Sequence, residues 1–283
     1  MPPSAISVSP SAKPAPLRLH VLVIGAGLFG LGAAISICLA GHDVTVLESV
    51  PSLEEVGAGL QITPNGTRIL KSWGVDKLLS AVTAPATFSI HRFDGSRILA
   101  HRQDYAAELE ERHGSPLWCL HRAQLQEALA SRAKSLGAEI RLNARVSHVD
   151  PDTGEVELES GETVQGQLIV GADGLWSTTR AALYPDSPDQ TPLPLPTGDL
   201  AYRIIIDRES DQGIDGILHE RFFVHPGIHI WVGPGSHAVA YSMQDGRYLN
   251  VVLLVPDNLP PLVAKAEGDL NEMHALFHQW DPM

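Results

Sequence analysis

The chain has 283 residues, 44% of them hydrophobic, enough for one large or two modest domains with a real core. A net charge of −13 and a pI near 5.4 leave no basic footprint for nucleic acid or an anionic membrane. Two cysteines, Cys38 and Cys119, make no disulfide framework, and the chain reads as intracellular and soluble.

Residues 1–16, MPPSAISVSPSAKPAP, are Pro/Ser-rich and predict a disordered tail without the pattern of a secretory signal. Residues 19–24 form a short apolar run with no room for a helix before the glycines, which predicts a buried parallel strand. Gly25, Gly27 and Gly30 follow in the spacing G-x-G-x-x-G, then a small-residue helix over 28–39 and a second strand over 44–47 with Glu48 at its end. In that context Gly25 permits the tight turn, Gly27 lets a pyrophosphate approach the backbone, and Gly30 lets the helix lie close to the strand. The helix start offers N–H groups and a positive dipole end to phosphates. Glu48 is placed to accept hydrogen bonds from a ribose diol and would repel a 2′-phosphate. The competing reading of residues 17–40 is a membrane span, and four glycines between positions 25 and 32 count against it.

Gly57-Ala58-Gly59 is a second small-residue patch suited to close backbone approach. Pro64-Asn65-Gly66 is expected to break the chain before a helix over 67–73. Alternation over 87–102 predicts a hairpin turning at Asp94-Gly95, and residues 104–114 read as a polar surface excursion. After an apolar run at 117–120, an amphipathic helix begins near His121, with Leu125, Leu129, Ala133 and Leu136 on one face. Arg122 sits in its first turn, where a cation opposes the helix dipole. It is either a phosphate clamp or a solvated surface arginine.

A strand over 140–150 and a hairpin over 155–164 lead to a strand at 167–170, the turn Gly171-Ala172-Asp173-Gly174 and a helix over 176–183. Residues 185–199 are proline-rich and mark a domain boundary. Beyond it, residues 200–206, 220–225, 228–232, 238–243 and 248–255 read as strands of an antiparallel sheet, closed by a helix over 270–280. His225, His229 and His237 recur, but no carboxylate or thiol completes a ligand set, so no metal site is expected.

Three stretches in order carry a resemblance: GAGLFG with Glu48, HRAQLQEAL with Arg122, and LIVGADGLWSTTR ending at Arg180. Together they resemble the fingerprints of the FAD-dependent aromatic-ring hydroxylases, the single-component flavoprotein monooxygenases that include salicylate hydroxylase and p-hydroxybenzoate hydroxylase. GAGLQITPN resembles the family's flavin-side loop. The resemblance implies an α/β fold: after the tail at 1–16, a Rossmann-like FAD-binding domain of the GR2 type over 17–184, and an inserted antiparallel β-sheet substrate domain over 185–283. It implies that Gly25, Gly27 and Gly30 hold the FAD pyrophosphate and Glu48 the ribose. Gly57, Ala58 and Gly59 would approach the flavin, Arg122 would contact FAD, and Asp173 would support FAD and the approach of NAD(P)H. Arg203 and Tyr241 fit the places of substrate-cavity residues, against the plainer reading of a solvent-facing strand arginine and a core tyrosine.

The reaction implied is hydroxylation of an aromatic or phenolic small molecule with O₂ and NAD(P)H through a C4a-hydroperoxyflavin, in the cytoplasm, with no nucleic-acid or membrane partner. The family's third, Gly-Asp fingerprint has no counterpart, since Gly198-Asp199 and Gly268-Asp269 lack its flanking elements. The expectation is therefore a chain incomplete at its C-terminus, whose rival readings are an inactive or FAD-binding-only fragment and an NAD-dependent Rossmann oxidoreductase.

Overall fold

A computed structural model of the chain describes residues 17–53, 58–184, 194–209, 216–260, 263 and 266–282. The expected tail at 1–16, Gly57 and most of the proline-rich connection lie outside the described residues. Two compact units divide the chain: residues 1–55, 69–79 and 123–195 form the first, and residues 56–68, 80–122 and 196–283 the second.

The chain opens with β1 (His20–Ile24), α1 (Leu28–Leu39) and β2 (Asp43–Leu47). The apolar stretch over 17–40 is thus a strand and a 12-residue helix, and no helix among the described residues is long and apolar enough to cross a membrane. Next come β3 (Gly59–Ile62), α2 (Pro64–Trp73), β4 (Thr87–Arg92), β5 (Ile98–Arg102), α3 (Tyr105–His113) and β6 (Trp118–His121). Then follow α4 (Arg122–Ser135), β7 (Glu139–Arg141), β8 (Val146–Asp150), β9 (Glu155–Leu158), β10 (Thr163–Gln165), β11 (Leu168–Gly171) and α5 (Thr178–Ala182). The last elements are β12 (Asp199–Asp207), α6 (Gly216–Leu218) running into a π-turn over His219–Val224, β13 (Gly227–Gly233), β14 (Ser236–Met243), β15 (Tyr248–Pro256) and α7 (Leu270–Phe277).

The first unit is Rossmann-like. A parallel sheet runs in the order β11-β1-β2-β7, and four residues of β1 and four of β2 are buried, as a strand covered on both faces requires. The small residues of α1 let it lie on this sheet with Leu31 and Ile35 fully buried, each contributing about 2 kcal/mol. A second, three-stranded sheet in the order β10-β9-β8 shares a core with β1 and β2 through Leu22, Ile24, Leu47, Val149, Val156 and Leu158.

The second unit is built on a six-stranded sheet in the order β12-β15-β14-β13-β4-β5. It is antiparallel except for one parallel pair, β13 with β4, and it takes β4 and β5 from before the proline-rich connection. Cross-strand pairing sorts its side chains onto two faces. Ile205, Asn250, Tyr241 and Ile228 share one, and Leu249, Ala240, Trp231 and His229 share the other.

Four local expectations are corrected. Pro64-Asn65-Gly66 does not break the chain but forms the first turn of α2, where proline's absent N–H costs nothing. Residues 104–114 lie at the surface as expected, yet residues Tyr105–His113 are helical, because the partly buried Tyr105 and Leu109, one turn apart, pack against the sheet core. The single strand expected over 140–150 is two strands in different sheets, parted at Asn143, whose φ of 53° no strand accommodates. Residues 220–225 form no strand, since the π-turn drives the adjacent Phe222 and Phe223 into one core. A short apolar run satisfies either reading until its neighbours are known.

Candidate functional site

Three parallel strands of the first unit end level with one another. Ile24 pairs with Leu47 on one side and with Gly171 on the other, so Gly25, Glu48 and Ala172 leave the sheet together at its carboxyl edge. That edge is where open α/β sheets bind ligands. The backbone N–H of Gly25 donates to the Leu47 carbonyl at 2.8 Å, and that of Ala172 to the Ile24 carbonyl at 2.8 Å.

The three glycines do different work. Gly25 has φ +101°, and a Cβ there would stand 2.5 Å from the Ala172 carbonyl oxygen. A Cβ on Gly30 would stand 1.9 Å from the carbonyl oxygen of Gly25. A Cβ on Gly27 would meet nothing within 4 Å. Packing thus explains Gly25 and Gly30, while Gly27 borders open space at the start of α1, where no side chain caps the helix. Free N–H groups at a helix start facing open space are a cradle for a phosphate.

Glu48 stands beside this cradle. Its Oε2 accepts from the Ala26 N–H at 2.6 Å, and its Oε1 from the Ser49 hydroxyl at 3.0 Å and the Val50 N–H at 3.1 Å. A carboxylate has about four acceptor sites, so capacity for a ribose hydroxyl remains. Asp173 follows β11 at the same edge. It accepts from the Ser177 hydroxyl at 2.6 Å and from the Thr179 N–H and hydroxyl at 2.9 and 3.1 Å. Ser177 in turn caps α5 through the Arg180 N–H. All of these Asp173 bonds stay within its own turn, so the carboxylate braces the turn that meets Gly25.

The other named residues lie in the second unit. Strand β3 pairs with β6, and the Arg122 N–H donates to the Ala58 carbonyl at 2.9 Å, tying the first residue of α4 to the small-residue loop. Gly59 is buried, and a Cβ on it would stand 2.6 Å from the Tyr241 hydroxyl. Arg203 on β12 and Tyr241 on β14 share one face of the sheet with β15 between them. Tyr241 is 5% exposed, and burial, followed by the neighbouring Cys119, pushes its hydroxyl pKa above the usual tyrosine value, with Arg203 opposing. Its hydroxyl therefore stays protonated and is a donor across the physiological range.

Two buried carboxamides were not singled out from the sequence. Asn250 accepts the Gly59 N–H at 3.0 Å and is the one polar residue inside the apolar run of β15 over 249–255, which was a readable signal. Gln126 donates to the Ala26 carbonyl at 3.0 Å, and it shares a helical stripe with buried Ala130 and Ala133. Asn250→Ala should destabilise the chain by about 1–3 kcal/mol in urea unfolding, because it strands the buried Gly59 N–H. Among the described residues no group of three or more His, Cys, Asp or Glu is placed to hold a metal ion.

Residues 18–192 match a protein-family model described as FAD binding domain. The chain is 46% identical over 267 residues to FAD-dependent monooxygenase OpS4 of Beauveria bassiana, covering 94% of this chain and 61% of that one. It is 28% identical over 267 residues to 3-hydroxybenzoate 6-hydroxylase of Polaromonas naphthalenivorans, covering 93% and 63%. The solved structure of CtdE in complex with FAD and substrate 4 superposes with a TM-score of 0.79 at 20% identity, covering 93% of this chain and 64% of that one, and so shares the fold. The chain spans about three fifths of the length of the curated relatives it matches.

Proposed function

Because the chain belongs to the FAD binding domain family, with FAD as its cofactor, we propose that it acts as a flavoprotein monooxygenase. Its substrate is an aromatic or phenolic small molecule, and its co-substrates are O₂ and NAD(P)H. The observation that carries this reading is the cradle at Gly27, open in front of an uncapped helix start with the Glu48 carboxylate beside it. The aromatic substrate class follows the name of one relative, 3-hydroxybenzoate 6-hydroxylase.

In this reading Gly27 and the first turn of α1 hold the pyrophosphate, and Glu48 holds the ribose. Gly25, Gly30 and Asp173 shape the turns. Bound FAD, reduced by NAD(P)H, supplies the activation of O₂ that ring hydroxylation needs. The chain's own residues bind and orient the ring. Arg203 attracts an anionic substrate group, and the protonated Tyr241 hydroxyl donates to a ring oxygen. Arg203→Ala is expected to raise KM for a phenolic acid by about tenfold to a hundredfold, the value of a charge-assisted hydrogen bond. Tyr241→Phe is expected to lower kcat with less effect on KM, since it removes a donor and leaves the packing. Unchanged turnover in both would remove them from the substrate site. Cys38 and Cys119 are both free thiols, as suits the cytoplasm.

The test is visible absorption of the purified chain before and after adding FAD. Flavin bands retained through gel filtration support the reading, and NAD(P)H oxidation with phenolic acids is then measured. A chain that stays colourless in excess FAD refutes it as a cofactor-binding unit.

A further inference from the structure

Both backbone polar groups of Ala26 are held by side chains. Its N–H is taken by Glu48 at 2.6 Å, and its carbonyl accepts from Gln126 Nε2 at 3.0 Å. Only the amide nitrogen can face a carbonyl, which sets the orientation of the Gln126 side chain. Gln126 is 4% exposed, and its Oε1 is buried without a partner among the described residues. Gln126 satisfies the carbonyl of fully buried Ala26 but leaves its own oxygen unpaired beside Ala130 and Ala133. The hydrogen bond stabilises the chain, and it also fixes the direction of a peptide group.

In a planar trans peptide the carbonyl and the following N–H point in opposite directions. The carbonyl of the Ala26–Gly27 peptide points at α4, so the Gly27 N–H points away from α4, and the Cβ position of Gly27 itself is open. We propose that Gln126 is a positioning residue for the dinucleotide pyrophosphate. It pins the Ala26–Gly27 peptide so that the Gly27 N–H is already aimed at the phosphate before the ligand arrives. The inference rests on the FAD reading and adds a member to that site from the buried face of α4.

The test compares the 283-residue chain with Gln126→Met, Gln126→Leu and Gln126→Glu. The readouts are FAD dissociation constants from flavin fluorescence quenching and the melting temperature without FAD. Gln126→Met and Gln126→Leu should weaken FAD binding by about tenfold, one hydrogen bond's worth. Their melting temperatures should fall, because the buried Ala26 carbonyl loses its donor. Gln126→Glu should bind worst when ionised and recover as the pH drops through its carboxyl pKa, since only the protonated acid can donate to Ala26. A purely structural role would lower the melting temperature in all three and leave the FAD affinity of each folded variant within about twofold of the parent's at every pH. If the parent chain binds FAD and Gln126→Met binds it within twofold with no pH dependence in Gln126→Glu, the inference is overturned alone. A parent chain that takes up no FAD overturns the reading and the inference together.

Discussion

Gly27→Ala is expected to fold normally and lose FAD, whereas Gly30→Ala is expected to lose the first unit's fold. The two glycines belong to one motif, yet their surroundings differ. At Gly27 the backbone is ordinary, with φ −66°, and nothing lies within 4 Å of an added Cβ. Alanine there should shift stability by less than about 1 kcal/mol. The methyl would instead occupy the space through which a pyrophosphate reaches the start of α1. Losing two charge-assisted hydrogen bonds, at about 1.5–3 kcal/mol each, weakens binding by about a hundredfold or more. At Gly30 the added carbon would stand 1.9 Å from the Gly25 carbonyl oxygen and 3.2 Å from the Ala172 Cβ. The first neighbour is backbone in the central turn and cannot swing aside, so the cost is at least about 3 kcal/mol against a total stability of about 5–15 kcal/mol. Thermal unfolding and FAD titration, run on both variants, separate the two effects. A Gly27→Ala chain that binds FAD as tightly as its parent would move the pyrophosphate away from this turn.

Mild acid is expected to unfold the second unit's sheet. His91 and His229 are buried on adjacent strands, with His91 Nε2 and His229 Nδ1 3.0 Å apart, and both rings stack near Trp231. A neutral pair shares one proton along that contact, and protonating both nitrogens destroys it. Burial, then the Arg221, His91 and His101 charges, lowers the His229 pKa to about 3, and burial followed by Arg221 lowers that of His91. The sign follows directly. The folded state refuses a proton that the unfolded state accepts near pH 6.5, so stability is full above about pH 6.5 and falls as the pH drops toward about 3. His229 alone gives a slope approaching 1.4 kcal/mol per pH unit, about the value of one proton. Urea unfolding across this range should show that slope, and His229→Gln, which keeps a hydrogen-bonding group but does not titrate, should reduce it. An equal slope in the variant would place the acid sensitivity elsewhere.

The glycine turn with its acidic neighbour was legible because its signal is local. A short apolar run, three spaced glycines, a small-residue helix and an acidic residue after the next strand are read within about thirty residues. Gly25 and Glu48 leave the parallel sheet together at its carboxyl edge, and Gly30 packs against Gly25. Asp173 was legible as a turn residue, but its three hydrogen bonds within that turn were not. Residues 220–225 misled for a physical reason: a short apolar run cannot distinguish a strand from a turn of helix that buries two neighbouring phenylalanines. Pro64 misled because proline ends a helix from inside but starts one well, and the sequence does not say on which side of the boundary it falls.

The amino-acid sequence alone carried the α/β class, the glycine turn with its acidic partner, and four of the five strands expected after the proline-rich connection. Each follows from backbone stereochemistry and side-chain periodicity over neighbouring residues. Only the tertiary structure decided that β4 joins β13 in parallel across 138 residues between His91 and His229, and that Asn250 reaches Gly59 across 191. It alone placed Gln126 on the Ala26 carbonyl, 100 residues away in the chain. Hydrogen bonds and buried pairs over such separations depend on which surfaces the folded core brings together, and no local pattern of residues encodes them.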